Sequence, residues 1–222
     1  MRFIFQLLLI LIPIFSLASE ISVTRESRYI SEGRDNLQNG GIYTLQASHA
    51  VNNTGIGIWT ATGTEDDYDE GNAWVDFTLR FDSLELIPSY TFLAFSNNSA
   101  NDHEFGLSLV WNSDEDSGAD IAYVYSNEAD GSFWEASIWQ NFRFYQSLTL
   151  SPYFAVGINS GYINNEHRGF NNSVFGLNVE YSIGRHLVLT AHAAYSRALN
   201  RKSGESLENE SWTGIGLVFD LP

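Results

Sequence analysis

The stretch NAWVDFTLRFD, residues 72–82, has an apolar side chain at every second position. Its apolar face is made of Ala73, Val75, Phe77, Leu79 and Phe81. A period of two is typical of a β-strand, whose successive side chains point to opposite faces, whereas a helix repeats its apolar face every three to four residues. The stretch therefore predicts a strand with one wholly apolar face.

The same alternation recurs along the chain. It is clear in residues 147–158, 174–183, 186–198 and 211–221. It is weaker in residues 21 to about 29, 42–51, 55–61, 85–95, 103–112, 119–126 and 132–140. Together with residues 72–82 these stretches predict twelve strands, and an even number of strands returns both ends of an antiparallel meander to the same side.

The predicted connections alternate in length. They are short after the second, fourth, eighth and tenth strands and longer after most odd-numbered strands, for example residues 62–71, 159–172 and 197–210. Short turns on one rim and long loops on the other are typical of outer-membrane barrels. We therefore predict an all-β, transmembrane, antiparallel up-and-down barrel of about 12 strands. An exported soluble β-sandwich is the alternative, because its strands also alternate.

Residues 1–18 have the features of a cleavable export signal. Met1-Arg2 gives a positive start, residues 3–15 are apolar, and Ser16-Leu17-Ala18 fits a cleavage site. The prediction is a signal peptide over 1–18 followed by a barrel domain over 19–222. The protein is thus expected in the cell outer membrane.

Composition excludes several classes of protein. The 222 residues include 27 acidic and 11 basic side chains, a formal net charge of −16, and no cysteine. Excess negative charge opposes binding to nucleic acid, whose phosphates attract Lys and Arg. Without cysteine there is no disulfide, thiolate metal site or thiol nucleophile. We expect no cofactor and no metal.

Aromatic residues near the predicted strand ends fit the two headgroup levels of a membrane. On the long-loop side these are Trp59, Trp74, Tyr125, Trp134, Tyr195 and Trp212, and on the short-turn side Phe81, Trp111, Phe142, Phe144, Tyr181 and Phe219.

The polar strand faces are expected to line a lumen. The candidate residues are Asp76, Arg80, Glu85, Glu104, Glu135, Glu180, His186 and His192. Five carboxylates against one arginine favour cations. The alternative is that these groups pair across a filled interior, since twelve strands lie between the plugged narrow barrels and the open wide ones.

Two further features have alternative interpretations. The acidic run of residues 65–70 is expected to be a solvated external loop rather than a site for divalent cations. A barrel lipid hydrolase would need a serine–histidine pair, but no Gly-x-Ser-x-Gly occurs and no histidine has a serine two residues away. We therefore expect no catalytic residues.

Three motifs resemble a known family. They are SRYISEGRD at 27–35, GIGIW at 55–59 and the acidic YDE at 68–70, and they are similar to those of TorF-type porins. The resemblance implies an outer-membrane barrel with the porin label and an undefined solute. The chain departs from many such barrels at its end, where Phe219 is followed by Asp220-Leu221-Pro222 instead of a terminal aromatic residue.

These observations predict a narrow porin-like channel for small solutes with a weak cation preference. Its expected partners are outer-membrane lipids, the barrel-assembly machinery and small cationic or neutral solutes. A non-conducting structural or adhesive barrel is the alternative. The first strand is expected to contain a bulge or to start late, because regular alternation would turn Arg25 towards lipid at a cost of about 2 to 4 kcal/mol in mid-membrane.

Overall fold

The computed structural model describes residues 19–37, 39–96, 100–113, 116–145, 147–163, 168–199 and 207–221. This part of the chain is built from strands, turns and loops. It includes no helix long and apolar enough to cross a membrane. The predicted signal peptide, residues 1–18, lies outside the described residues.

Twelve long strands form one sheet in the described residues. They are β1 (Glu20–Glu26), β2 (Ile42–Val51), β3 (Thr54–Gly63), β4 (Asp69–Phe77, continued by Leu79–Phe81), β5 (Leu84–Phe95), β6 (Asn101–Asn112), β7 (Ser117–Ser126), β8 (Gly131–Gln140, continued by Phe142–Phe144), β9 (Leu148–Ser160), β10 (Arg168–Ser182), β11 (Leu187–Ala198) and β12 (Glu210–Asp220). Each strand pairs antiparallel with its neighbours in sequence.

The sheet closes on itself because β1 also pairs with β12. The register runs from Glu20 opposite Asp220 to Glu26 opposite Gly214. The predicted all-β, twelve-stranded antiparallel barrel is thereby confirmed. Both ends of the described barrel lie on one rim, the short-turn rim, and the connections after the odd-numbered strands lie on the opposite, long-loop rim.

The outward face of the wall is apolar. Side chains such as Val75, Leu107, Ile121 and Ile215 have 42 to 56% of their surface exposed although each lies within a strand. A soluble protein rarely exposes so continuous an apolar surface. The alternation read from the sequence therefore separates an apolar outside from a polar inside, as in a barrel surrounded by lipid.

The first strand differs from its prediction. Both ladders of β1 run without a register shift, so the expected bulge is wrong. β1 begins at Glu20 and ends at Glu26, short of the predicted end near residue 29. Arg25 does point outward, but it lies one residue from the long-loop rim, with its guanidinium 5.9 Å from the ring centroid of Tyr43. At the rim the charge reaches water, which removes the mid-membrane cost.

The loop of residues 62–71 is also shorter than predicted. β3 continues to Gly63 and β4 starts at Asp69, which leaves residues 64–68 as the connection. The expectation of a solvated acidic loop is wrong for Glu70, whose exposed fraction is 6%. Alternation alone could not place these strand ends, because short polar residues continue the ladder beyond the apolar belt.

Three tryptophans assigned to the aromatic belt lie inside the barrel. Trp59 and Trp212 line an internal cavity. The indole of Trp74 covers Gly57, where a Cβ would lie 2.2 Å from the ring. Trp134 and Tyr195 do point outward, each with 43% exposed. The ring of Trp74 is accommodated because Gly57, on the neighbouring strand, leaves room for it.

Gly41 provides a test of the packing at the long-loop rim. A Cβ at this position would lie 2.0 Å from the backbone oxygen of Glu26, at the end of β1. We expect Gly41→Ala to lower stability by about 1 to 3 kcal/mol through overpacking. The measurement is the temperature at which heat-treated protein loses its folded mobility on a gel. Gly71→Ala is the control, because a Cβ there meets nothing within 4 Å, and equal melting of both variants would contradict the prediction.

Candidate functional site: the lumen and its inner hairpin

The loop after β1 folds into the barrel. Residues 30–31 and 34–35 pair as a two-stranded hairpin, with Ile30 opposite Asp35 and Ser31 opposite Arg34. We call residues 27–37 the inner hairpin. Its turn residues Glu32 and Gly33 have φ angles of 47° and 79°. Positive φ at both positions is the geometry of a type I′ turn, which favours glycine at the second position.

The turn of the inner hairpin contacts β10, which lies three strands from β1 around the closed sheet. The amide nitrogen of Asn171 donates to the backbone oxygen of Glu32 at 2.6 Å. A Cβ at Gly33 would lie 2.5 Å from the side chain of Asn172, so this close approach also requires glycine. The hairpin therefore extends from β1 to β10 across the lumen.

An aromatic cluster holds the start of the inner hairpin. The ring of Tyr29 lies 6.1 Å from that of Trp59 and 5.7 Å from that of Tyr68. The hydroxyl of Tyr29 donates to Glu70 at 2.9 Å, and the hydroxyl of Tyr68 donates to the same carboxylate oxygen. Leu37, at the end of the hairpin, is buried beside β2 and β3. The hairpin is thus packed at both ends.

One cavity lies beside the turn of the inner hairpin. It measures about 280 Å³, and we call it the acidic cavity. Its carboxylates are Glu32, Glu104 and Glu135, with hydroxyls from Ser89, Thr91 and Ser108. Tyr162, from the loop after β9, donates to Glu104.

A second cavity lies at the start of the inner hairpin. It measures about 330 Å³, and we call it the aromatic cavity. It is lined by Trp59, Trp212, Tyr29, Glu26, His192 and Arg28, together with Ser22, Thr24, Ile30, Ile42, Thr44 and Gln46.

The structure distributes the eight predicted lumen residues over four places. Glu104 and Glu135 line the acidic cavity, and His192 lines the aromatic cavity. The carboxylate of Asp76 faces the barrel interior over Gly55.

The remaining four candidates lie at the short-turn rim. Arg80 donates to Glu85 at 3.0 Å across β4 and β5. Glu180 and His186 are exposed near the turn between β10 and β11. These side chains lie at the short-turn rim, away from both cavities. Alternation predicts the face of a strand on which a side chain lies, but not its depth in the lumen, so the sequence did not distinguish the rim from the interior.

Several site residues were missed in the sequence. Glu32, Tyr29 and Tyr162 belong to loops, where alternation gives no information about direction. The pair Glu32-Gly33 between short polar segments was a usable signal for a tight hairpin turn. No comparable signal in the chain indicates that the hairpin turns inward.

Burial governs the ionisation of the inner hairpin. Burial raises the pKa of the Glu32 carboxyl; a hydrogen bond with Ser31 and the charge of Arg34 lower it, and the charge of Glu70 raises it. Burial also raises the pKa of Tyr29 and of Tyr162, so both phenols remain neutral donors to the carboxylates beside them. The hairpin is therefore most stable with Glu32 protonated.

One serine–histidine contact joins two neighbouring strands, which spacing within a single strand could not predict. The hydroxyl of Ser19 lies 2.7 Å from Nδ1 of His49, on the neighbouring strand near the short-turn rim. A nucleophilic pair also needs a group that orients the base. Among the described residues, no carboxylate forms an ion pair with His49. The described residues also contain no cluster of three or more His, Asp or Glu side chains placed to hold a metal ion.

Comparison with known proteins identifies the architecture. No protein family and no curated protein sequence matches the chain. The KdgM porin has a TM-score of 0.66 at 12% identity, over 91% of this chain and 99% of KdgM. The NanC porin has a TM-score of 0.64 at 14% identity, over 90% and 100%.

An outer membrane channel from Pseudomonas putida F1 has a TM-score of 0.58 at 8% identity, over 91% of this chain and 95% of that protein. At such low identity the similarity shows the fold alone, which is that of these porin and channel barrels. The resemblance to TorF-type porins rests on the sequence motifs alone.

The buried carboxyl of Glu32 predicts a pH-dependent stability. A carboxyl whose pKa is raised on folding contributes stability that is complete below its unfolded pKa and is lost as the pH rises through its folded pKa. We expect Glu32→Gln to gain stability relative to the wild type as the pH rises from about pH 4 upwards, by about 1.4 kcal/mol for each pH unit that separates the unfolded and folded pKa values.

Heat-modified gel mobility measured across this pH range tests the prediction. Glu128→Gln, in an exposed loop, is the control and should follow the wild type. A constant difference between Glu32→Gln and wild type at all pH values would contradict the assignment.

Proposed function

We propose that the protein is an exported outer-membrane channel, narrow and porin-like, for small cationic or neutral solutes. Three observations support this function: an apolar outward face, a closed twelve-stranded wall, and an interior with two polar cavities. The similarity of the fold to porin barrels is consistent with it. Under this proposal the signal peptide directs export, the assembly machinery inserts the barrel, and outer-membrane lipids surround it.

The acidic cavity is the observation that supports the charge preference. Glu104 and Glu135 line it from the wall, beside the carboxyl of Glu32, whose burial favours its protonated form. Arg34 is the nearby base, with its guanidinium 3.8 Å from the Glu32 carboxylate. Carboxylates around a constriction favour cations and oppose anions. One structure of KdgM is of a complex with oligogalacturonate, a polyanion, and the acidic interior of this chain argues against a solute of that kind here.

The inner hairpin supports a narrow path. It lies between the β1 side and β10, and its residues line both cavities. A solute on the barrel axis would pass the turn at Glu32-Gly33. We propose that this hairpin is the constriction of the channel.

Conductance of the refolded protein in a planar bilayer tests the function. We expect small single-channel currents and a reversal potential that indicates preference for K⁺ over Cl⁻. No channel events would favour the structural or adhesive barrel, and anion preference would refute the charge argument.

Removal of the inner hairpin tests the constriction. Replacement of residues 30–35 by a short Gly-Ser linker removes the turn that contacts β10. We expect single-channel conductance to rise by a factor of roughly two to five, because the hairpin occupies lumen cross-section that ions would otherwise use. Asn171→Ala, which removes the anchor of the turn, should raise current fluctuations without a permanent rise in conductance. Unchanged conductance of the linker variant would exclude the hairpin as the constriction.

The carboxylates of the acidic cavity can be tested separately. The double variant Glu104→Gln and Glu135→Gln keeps side-chain shape and removes two charges. We expect its K⁺ to Cl⁻ permeability ratio to fall by a factor of roughly two to ten, since a charge near a constriction acts at short range. Glu128→Gln removes a charge from an exposed loop and should leave the ratio unchanged. Equal ratios in the double variant and the wild type would contradict the assignment.

A further inference from the structure

The aromatic cavity combines three kinds of surface. Aromatic rings come from Trp59, Trp212 and Tyr29, and a carboxylate comes from Glu26. Neutral polar groups come from Ser22, Thr24, Thr44 and Gln46. Its volume of about 330 Å³ is at the small end of the range for small-molecule sites. The acidic cavity, by contrast, is lined by two aromatic residues, Tyr123 and Phe133, and by no tryptophan among the described residues.

The carboxylate of Glu26 is held in place across the closing seam of the barrel. Its Oε2 lies 2.8 Å from Nε2 of His192, on β11. The two side chains meet over Gly214 of β12, where a Cβ would lie 2.3 Å from Oε2 and 2.4 Å from Cε1 of His192.

The one guanidinium that lines the cavity is already paired. Arg28 lies 2.5 Å from Glu210 and 3.4 Å from Asp35. Two carboxylates offset its single positive charge, so Arg28 does not make the cavity attractive to an anion. The formal charge of Glu26, Arg28, Glu210 and Asp35 together is −2.

We propose that the aromatic cavity binds a small organic cation, an amine or quaternary ammonium that carries a hydroxyl group. Aromatic faces attract such cations through their quadrupoles, and a nearby carboxylate adds Coulomb attraction. The serine, threonine and glutamine side chains would hydrogen-bond the hydroxyl. The inference deepens the proposed channel function, on which it rests for the route by which the cation arrives, and assigns a solute class to one place in the lumen.

Choline and 3,3-dimethyl-1-butanol are the probes. They have the same shape, but only choline carries a charge, so their comparison isolates the cation. The readout is intrinsic tryptophan fluorescence of the folded barrel in detergent, with calorimetric titration as a second measurement. Trp59 and Trp212 line the cavity, whereas Trp111 and Trp134 point outward. We expect choline to bind roughly tenfold or more tightly than its neutral isostere.

Single variants locate the site. Glu26→Gln and Trp59→Leu should each weaken choline binding by roughly threefold to thirtyfold. Their matched controls are Asp82→Asn, at an exposed turn on the short-turn rim, and Trp134→Phe, on the outward face. Both controls should bind choline as the wild type does. Heat-modified gel mobility establishes that every variant is folded.

Several results would overturn the proposal. For the ligands, these are equal binding of choline and its isostere, no signal from choline in either measurement, or binding of a neutral sugar such as maltose in preference to choline. For the variants, the contradicting result is unchanged choline binding in folded Glu26→Gln and Trp59→Leu. The detergent assay needs no ion current. A barrel that binds choline and does not conduct would therefore refute the channel function and support the binding site. A barrel that conducts and does not bind choline would support the channel function and refute the binding site.

Discussion

The pairing of β1 with β12 is the constraint on which the rest of the structure depends. A sheet surrounded by hydrocarbon cannot leave the N–H and C=O groups of an edge strand unpaired, because no water is present to bond them. The register from Glu20 opposite Asp220 to Glu26 opposite Gly214 removes the edges of the sheet. Once the wall is closed, each side chain has only two directions, towards lipid or towards the lumen.

Because the wall is closed, the side chains that point inward must pack against one another. Apolar residues occupy the outward positions, so polar groups and large rings share the lumen. Inward glycines admit these groups: Gly57 lies under Trp74, and Gly214 lies between Glu26 and His192. The inner hairpin fills part of the remaining space and divides it into two cavities. A twelve-stranded wall is wide enough to contain a loop and leaves only a narrow space around it.

The chain holds its interior acids largely with hydroxyl donors. Tyr29 and Tyr68 donate to Glu70, and Tyr162 donates to Glu104. A phenol satisfies a carboxylate without cancelling its charge, whereas an arginine would neutralise it. Where Glu70 and Glu104 are ionised, their negative charge is therefore not cancelled by an ion-paired base among the described residues. It is the physical basis for the cation preference that we propose.

Alternation and turn spacing were sufficient for the wall of the barrel. In residues 72–82 the outward set Ala73, Val75, Phe77 is the set expected from a period of two, and the even number of strands fixed both ends on one rim. The same rule placed Glu104 and Glu135 on the inner face. The separate assignment of aromatic residues near strand ends to the headgroup levels failed for Trp59, Trp74 and Trp212, because an aromatic ring is compatible both with a headgroup level and with the lumen.

The sequence by itself determined which face of each strand avoids water, since that information is local and repeats every two residues. Only the tertiary structure decided what fills the space that the wall encloses. The Glu32-Gly33 turn meets Asn171, about 140 positions away in the chain, and Glu26 meets His192 across the seam. Such contacts depend on the curvature and closure of the whole sheet. In the sequence the polar segment after β1 is an ordinary external loop, and only the folded barrel brings β10 into contact with it.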